Sequence, residues 1–337
     1  MKQVWIPRTG GPEVLETRQA SDPEPGQGQV RIKVAATGVN FADVMARLGL
    51  YPDAPPLPTV VGYEVSGTVD KVGPGVDMAI GTRVLALTRF GGYSSVVTVP
   101  AVAALPIPDS LSFEKAAAIP VNYITAWIML VHLGNVSRGM KVLVHAVAGG
   151  VGQAALQICK WRGAEVLGTA SGSKHARLKE LGVAHCIDYT KEDFEAAVMK
   201  ATDGHGVDLV LDAVGGSSFK KSYRCLAPLG RLYLFGASSF APGTTRSIIA
   251  ALTGLLSMPK FKPLDLMDKN RGVQGVNMGH LWDEAPKLRS MLQEILDLTK
   301  QGILDPVVDK TFPFEKAGDA HAYIQGRGNF GKVLLVP

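Results

Sequence analysis

Residues 142–159 read VLVHAVAGGVGQAALQIC, and this stretch decides the fold. A short apolar run, Val142–Ala146, leads into Ala148-Gly149-Gly150-Val151-Gly152, and a helix-compatible sequence follows at once. Strand, glycine turn and helix together leave backbone N–H groups bare at a helix N-terminus. No side chain then stands in the way of a pyrophosphate. The match to G-x-G-x-x-G is imperfect, because Val147 stands where the first glycine belongs. A glycine turn that only packs a helix on a strand uses the same residues, so the surroundings must decide.

The surroundings repeat the pattern. Strand-like runs recur at Glu165–Thr169, Cys186–Ile187, Asp208–Asp212, Arg231–Phe235 and Gly272–Val276, with helical stretches between most of them. Alternation of this length predicts an α/β fold, a doubly wound parallel sheet of the Rossmann kind. Upstream the texture differs. Val30–Ala36, Glu64–Val72 and Thr82–Leu87 alternate and are punctuated by Gly and Pro, with Pro52, Pro55, Pro56 and Pro58 close together. That predicts a compact β-rich barrel with long loops. Phe113–Leu133 is apolar at helical spacing and is split by Pro120. Glu284–Gln301 reads as an amphipathic helix and Lys332–Val336 as a closing strand. The expected division is a first domain over 1–121, a dinucleotide-binding domain over 122–279, and a return to the first domain over 280–337.

The end of the second strand of the repeat bears on the cofactor. Folds that prefer NAD place an acid there to hold the ribose 2′-OH. Here Thr169-Ala170-Ser171 ends the strand and Lys174 follows. A hydroxyl and a lysine attract a 2′-phosphate where a carboxylate would repel it, which points to NADPH. Lys174 as a solvated helix lysine is the alternative.

Composition narrows the class. The chain has 337 residues, of which 46% are hydrophobic and 19% charged, enough for two packed cores. The net charge is only +5 and Lys and Arg are scattered, which argues against a nucleic-acid partner. Cys159, Cys186 and Cys225 form no close pair, as expected of free thiols in a reducing, cytoplasmic setting. The N-terminus shows no apolar leader. The most apolar stretch, Ile248–Leu256, is far short of the roughly 20 residues that span a bilayer. No His or Cys spacing suggests a metal.

Several stretches together resemble the medium-chain dehydrogenase/reductase superfamily over nearly the whole chain: NFADVMARLGLYP (40–52), VVGYEVSGTVDKVGPGV (60–76), GTRV (81–84), VLVHAVAGGVG (142–152), DLVLDAVGG (208–216) and GKVLLVP (331–337). Within it the chain is similar to the zinc-free quinone oxidoreductases and zeta-crystallin. VNYITAW (121–127), GTASGSKH (168–175) and PFEKAGDA (313–320) bring it nearest to vesicle amine transport protein-like members. The resemblance implies a GroES-like barrel beside the Rossmann sheet. It implies that Ala148, Gly149, Gly150, Val151 and Gly152 hold the pyrophosphate of NADPH. Ser171, Lys174 and Tyr189 would hold the adenosine ribose and its phosphate. Phe235, Gly236, Val276 and Asn277 would border the nicotinamide, and Arg327 and Asn329 would reach the cofactor from the first domain. One position departs: Met45 stands where quinone oxidoreductases carry a tyrosine.

Zinc-dependent relatives hold their catalytic metal with a cysteine and a Gly-His-Glu segment. Asn40 and Gly62-Tyr63-Glu64 stand there instead, and neither Asn nor Tyr is a usual zinc ligand. Without the metal, the remaining chemistry is hydride transfer to an apolar acceptor that is already electrophilic, a quinone or an α,β-unsaturated carbonyl. Asn40 either orients an amide or carbonyl or merely shapes a turn. Tyr63 either donates to a substrate oxygen or packs in the barrel. Asp43 either takes part or caps a helix, and Tyr51 lines the cleft or covers it. The rival function is an NADPH-binding, transport-type protein with peripheral membrane contact and little turnover. Gly272–Val276 is expected to be the outermost parallel strand and to pair in a homodimer. Residues 239–270 are expected to form either a mobile apolar cover or a packed crossover helix.

Overall fold

The computed structural model describes all residues 1–337. Two compact units emerge, one made of residues 1–124, 243–246 and 278–337, the other of 125–242 and 247–277.

The first unit begins with β1 (Lys2–Trp5), β2 (Glu16–Gln19), β3 (Gln29–Val39), α1 (Phe41–Arg47), β4 (Glu64–Val72), β5 (Arg83–Leu87), β6 (Val96–Pro100), β7 (Ala104–Pro106), α2 (Phe113–Ala117) and α3 (Pro120–Trp127), the last running across the boundary. β1 and β2 form a separate antiparallel ribbon. Strand β3 organises the rest. Its Val30, Ile32, Val34 and Ala36 alternate inward, as a strand with one solvated face requires. One edge pairs with β4 and the other first with β6, and two irregularities in the β4 register bend the long strand. Pro120, which has no N–H to contribute, opens α3, as the split in the apolar run predicts.

In the second unit β8 (Lys141–Val144), α4 (Gly150–Arg162), β9 (Glu165–Ala170), α5 (His175–Glu180), β10 (His185–Asp188), α6 (Phe194–Ala201), β11 (Val207–Asp212), α7 (Ser217–Arg224), β12 (Leu226–Leu234), α8 (Ile248–Leu256), α9 (Pro263–Lys269) and β13 (Gly272–Gly275) follow in order. The six strands are all parallel, in the order β10-β9-β8-β11-β12-β13. This is the doubly wound sheet read from the sequence. β8, β9 and β11 are buried along nearly their whole length, as strands covered on both faces are. Leu143, Leu167, Ile187, Val210 and Leu232 lie in one apolar cluster. The order reverses at β8, so a crevice opens beyond the carboxyl ends of β8 and β11, where such sheets bind ligands. β13 is the outermost strand on its side.

The chain then completes the first unit with α10 (Ala285–Lys300), β14 (Val308–Pro313), α11 (Ala317–Gln325) and β15 (Lys332–Val336). β15 pairs antiparallel with Thr37–Val39 of β3, and β14 runs parallel to β15. The apolar core gathers Val4, Ile6, Val39, Tyr93, Phe312, Phe314 and Leu335.

Candidate functional site

The carboxyl ends of the parallel strands carry most of the residues expected to bind a nucleotide. Gly149 stands at the cap of α4 and, having no side chain, makes no side-chain cap hydrogen bond to its first N–H groups. Those N–H groups and the helix dipole favour an anion there. Gly152 is required for another reason. A Cβ on it would lie 2.5 Å from the Ala146 carbonyl oxygen and 2.6 Å from Val147 Cα, so the helix could not seat on the strand end. Gly149 faces more room, with its nearest atom, again Ala146 O, 3.3 Å away. Val147 replaces the first glycine because the neighbouring strand makes space. Gly168 of β9 lies under its side chain, and a Cβ there would meet Val147 Cγ1 at 2.6 Å. The left-handed residue of the turn is Ala146, with φ 51°, a conformation that costs an L-residue on the order of 1–2 kcal/mol.

Ser171 follows β9 and opens the short turn Gly172–Lys174, with its hydroxyl 3.4 Å from that of Ser173. Tyr189 follows β10 and is half-exposed. Phe235 and Gly236 follow β12, where Phe235 N–H donates to Asp212 O (3.1 Å). Val276 follows β13, its N–H on Leu234 O (2.9 Å), and Asn277 comes next. All these residues stand at carboxyl ends of the parallel strands. A carboxylate that motif reading did not single out, Asp188, lies beneath the turn, and a Cβ on Gly172 would come 2.6 Å from its Oδ2. Its Oδ1 accepts Thr190 Oγ1–H (2.6 Å) and N–H (3.1 Å), which hold its pKa below the usual value. Arg327 and Asn329 belong to the first unit, in the turn between α11 and β15. There Arg327 has φ 55°, and Asn329 Nδ2 donates to Gly331 O (3.0 Å).

In the first unit Asn40 and Asp43 are linked directly, by the Asn40 N–H on Asp43 Oδ2, and the Asn40 side chain belongs to a further network. Asn40 is held at both ends of its amide. Lys332 Nζ donates to its Oδ1 (2.7 Å), and its Nδ2 donates to Glu64 Oε1 (3.1 Å). Lys332 and Glu64 form an ion pair with side chains 2% and 0% exposed, and Glu64 Oε2 also accepts Val121 N–H (2.7 Å). Gly38 leaves room for the pair, since a Cβ there would collide with Lys332 Cε. Motif reading does not single out Lys332. Its only signal is a lysine at the start of an apolar strand.

Asp43 is buried and accepts N–H bonds from Asn40 (2.8 Å) and Gly62 (3.0 Å) and the Tyr93 hydroxyl (3.1 Å). Burial pushes its carboxyl up to about 7, against the pull of these donors and of Lys332. Tyr93 Oη also lies 3.1 Å from His321 Nε2. Beyond it Arg47 donates to Gly10 O, to Gln325 Oε1 (2.6 Å) and to Thr244 O, fastening 243–246 to this unit. Burial lowers the Arg47 guanidinium to about 10. Asp43 therefore braces the loop that carries Tyr63. Tyr63 packs edge-on to Tyr51 (6.3 Å) and against Phe90 (5.3 Å). Its buried hydroxyl makes no hydrogen bond of normal geometry, and burial raises its pKa. The Tyr51 hydroxyl is its polar neighbour, and a buried hydroxyl without a full hydrogen bond costs stability, so a ligand oxygen would give the Tyr63 O–H a better acceptor.

A zinc ion does not suit these residues. Asn40 and Tyr63 are poor ligands, Glu64 is engaged by Lys332, and nowhere do three His, Cys, Asp or Glu side chains gather to hold a metal.

Comparison with known proteins agrees with this architecture. A family model described as an alcohol dehydrogenase GroES-like domain matches residues 26–109, and one described as a zinc-binding dehydrogenase matches 181–335. The human synaptic vesicle membrane protein VAT-1 homolog is 43% identical over 325 residues, covering 96% of this chain and 82% of its own. Among solved structures, Escherichia coli quinone oxidoreductase complexed with NADPH aligns with a TM-score of 0.89 and 29% identity over 100% of both chains. The human synaptic vesicle membrane protein VAT-1 homolog-like protein aligns at 0.87 and 33% identity, over 100% of this chain and 98% of that one.

Proposed function

As the chain belongs to the medium-chain dehydrogenase/reductase superfamily, we propose that it is a zinc-independent, NADPH-dependent reductase of quinones or α,β-unsaturated carbonyls. The observation that carries this reading is the N-terminus of α4, whose cap residue Gly149 offers no side-chain hydrogen bond, at the point where the strand order reverses. Residues 148–152 hold the pyrophosphate there, and Ser171, Lys174 and Tyr189 hold the adenosine ribose and its 2′-phosphate. Phe235, Gly236, Val276 and Asn277 border the nicotinamide, with Arg327 and Asn329 as further cofactor contacts. Bound NADPH supplies the hydride. Tyr63 donates a hydrogen bond to the acceptor oxygen, where negative charge develops during reduction. Asn40, its amide fixed by Lys332 and Glu64, orients a carbonyl through its remaining N–H. Asp43 acts at one remove, by holding the Gly62 backbone.

The test is a titration of NADPH and NADH into wild type and Lys174→Ala, with NADPH consumption followed over a panel of quinones and enones. A charge-assisted phosphate contact gives roughly ten- to hundredfold preference for NADPH, reduced by the substitution. Equal affinity for the two cofactors in wild type overturns the assignment, and no consumption with any acceptor removes the reductase.

A second reading, an NADPH-binding protein that meets lipid, is favoured by one observation. Ile248, Ile249, Leu252, Leu255 and Leu256 of α8, with Leu264 and Met267 of α9, are all more than half exposed, Ile249 at 77%. Lys260 and Lys262 lie in sequence between the two helices, and interfacial helices pair such an apolar face with basic residues. No helix of the chain is long and apolar enough to cross a membrane. Cosedimentation with anionic liposomes, lost on Leu252→Asp/Leu256→Asp, supports peripheral contact in an otherwise cytoplasmic protein.

A further inference from the structure

The turn that follows β8 is tied down by a buried polar chain that neither motif reading nor the proposed reaction uses. Ala146 N–H donates to Thr169 Oγ1 (3.1 Å) at the end of β9. Thr169 Oγ1 lies 3.2 Å from His145 Nδ1, and His145 Nε2 lies 2.9 Å from Ser222 Oγ on α7. Ser222 donates to Asp212 Oδ2 (2.6 Å) at the end of β11. With a neutral imidazole these contacts admit one assignment of hydrogens. The single hydroxyl hydrogen of Ser222 is on Asp212, so Ser222 accepts from His145 and Nε2 carries the proton. Nδ1 is then bare and accepts the Thr169 hydroxyl hydrogen, which frees the Thr169 oxygen to accept Ala146 N–H. Every link donates in the same direction, toward a carboxylate.

We propose that His145, held as its Nε2–H tautomer, is a positioning residue for the nucleotide turn. It is the middle link that fastens the left-handed residue Ala146 to Asp212. The inference rests on the reading that residues 148–152 hold the pyrophosphate of NADPH. Three features lift His145 above an ordinary satisfied core histidine. The chain joins the ends of β8, β9 and β11, the strands around the reversal in strand order. Asp212 also accepts Ser218 Oγ–H (2.7 Å) and Val214 N–H (2.7 Å), so the same carboxylate shapes the loop after β11. Finally, Ala146 is a non-glycine residue at positive φ, and such a residue persists only where its surroundings over-determine it. Burial lowers the pKa of the imidazole, against the pull of the Asp212 carboxylate 3.8 Å from Nε2, and the Phe194 ring meets it edge-on at 4.6 Å.

The experiment has two arms. In protein labelled with 15N-histidine, long-range 1H–15N correlations are expected to show a neutral Nε2–H ring for His145. A Nδ1–H or doubly protonated ring overturns the chain as drawn, with no variant needed. In the second arm NADPH is titrated into wild type, His145→Phe and the near-isosteric Thr169→Val, with far-ultraviolet dichroism to check folding and turnover of a model quinone alongside. Each variant is expected to bind NADPH roughly tenfold more weakly, the scale of one buried hydrogen-bonded link, with KM for NADPH raised and kcat at saturation nearly unchanged. Wild-type affinity in a folded variant overturns the positioning role while leaving the cofactor reading intact. No NADPH binding by wild type overturns the cofactor reading itself, whatever the tautomer.

Discussion

Replacing Lys332 with methionine tests whether the buried ion pair organises the first unit. Glu64 is wholly buried and its partner nearly so, so neither charge has water to fall back on. Lys332→Met leaves Glu64 with the Val121 and Asn40 N–H bonds but with no compensating positive charge. Stranding one member of a buried pair costs about 3–5 kcal/mol, and the two surviving bonds place this case toward the lower end. Glu64→Gln strands the ammonium instead and costs a similar amount. The double variant removes both charges and retains an acceptor for Val121 N–H. Its loss is expected to fall short of the sum of the single losses by at least about 2 kcal/mol. With two compact units one global unfolding energy is poorly defined, so the measurement is hydrogen exchange at the β3 and β15 amides. A Lys332→Met loss below about 1 kcal/mol there, or strict additivity, refutes the reasoning.

Three further outcomes follow from other sites. Burial lifts the Asp43 carboxyl from 3.8 to about 7, so between these values the folded protein holds a proton that the unfolded chain has released. The resulting stability is complete below pH 4 and is lost as pH rises toward 7. Asp43→Asn should therefore gain on wild type by about 4 kcal/mol from pH 4 to pH 8, and a flat difference in the hydrogen-exchange stability of first-unit core amides at those pH values contradicts this. Gly152→Ala, with a Cβ 2.5 Å from Ala146 O, is expected to abolish NADPH binding in a fluorescence titration, whereas Gly149→Ala, with 3.3 Å, weakens it several-fold at most; equal effects would argue against the packing account. The open edge of β13 should pair with a second copy across a two-fold axis, so light scattering at micromolar concentration should give a dimer mass; a monomer excludes that pairing.

What the sequence made legible was local. Val142–Ala146 and the glycine turn announce themselves within one short window, because strand, turn and helix signals depend on neighbouring residues. The parallel sheet follows from repetition of that window. The first unit is less readable, because its polar contacts join distant segments. Asn40 and Lys332 meet across 292 positions, and nothing near either residue names the other. Arg47 looks like a surface residue of a short helix, yet it is wholly buried and holds Thr244. The apolar residues of α8 read equally well as a packed crossover or as a cover. In this chain they are exposed, so covering that face would take a second surface.

The departure of the turn from the dinucleotide fingerprint has a physical explanation. In G-x-G-x-x-G the first glycine gives the chain its tight turn. Here that position is Val147, fully buried, and its volume is accommodated because β9 offers Gly168 beneath it. The strained conformation has moved one residue back, to Ala146. An alanine at positive φ does not hold itself there, and its N–H is the group that Thr169 accepts. Thr169 and Gly168 are adjacent on β9, so one strand end supplies both the space for the valine and the anchor for the alanine. The fingerprint is thus divided between two strands, and judging residues 147–152 alone undervalues it. On this view Gly168→Ala and Thr169→Val disturb the same turn by different routes, one by crowding Val147 and the other by releasing Ala146. Their effects on NADPH affinity should then be less than additive, because either change alone already frees the turn.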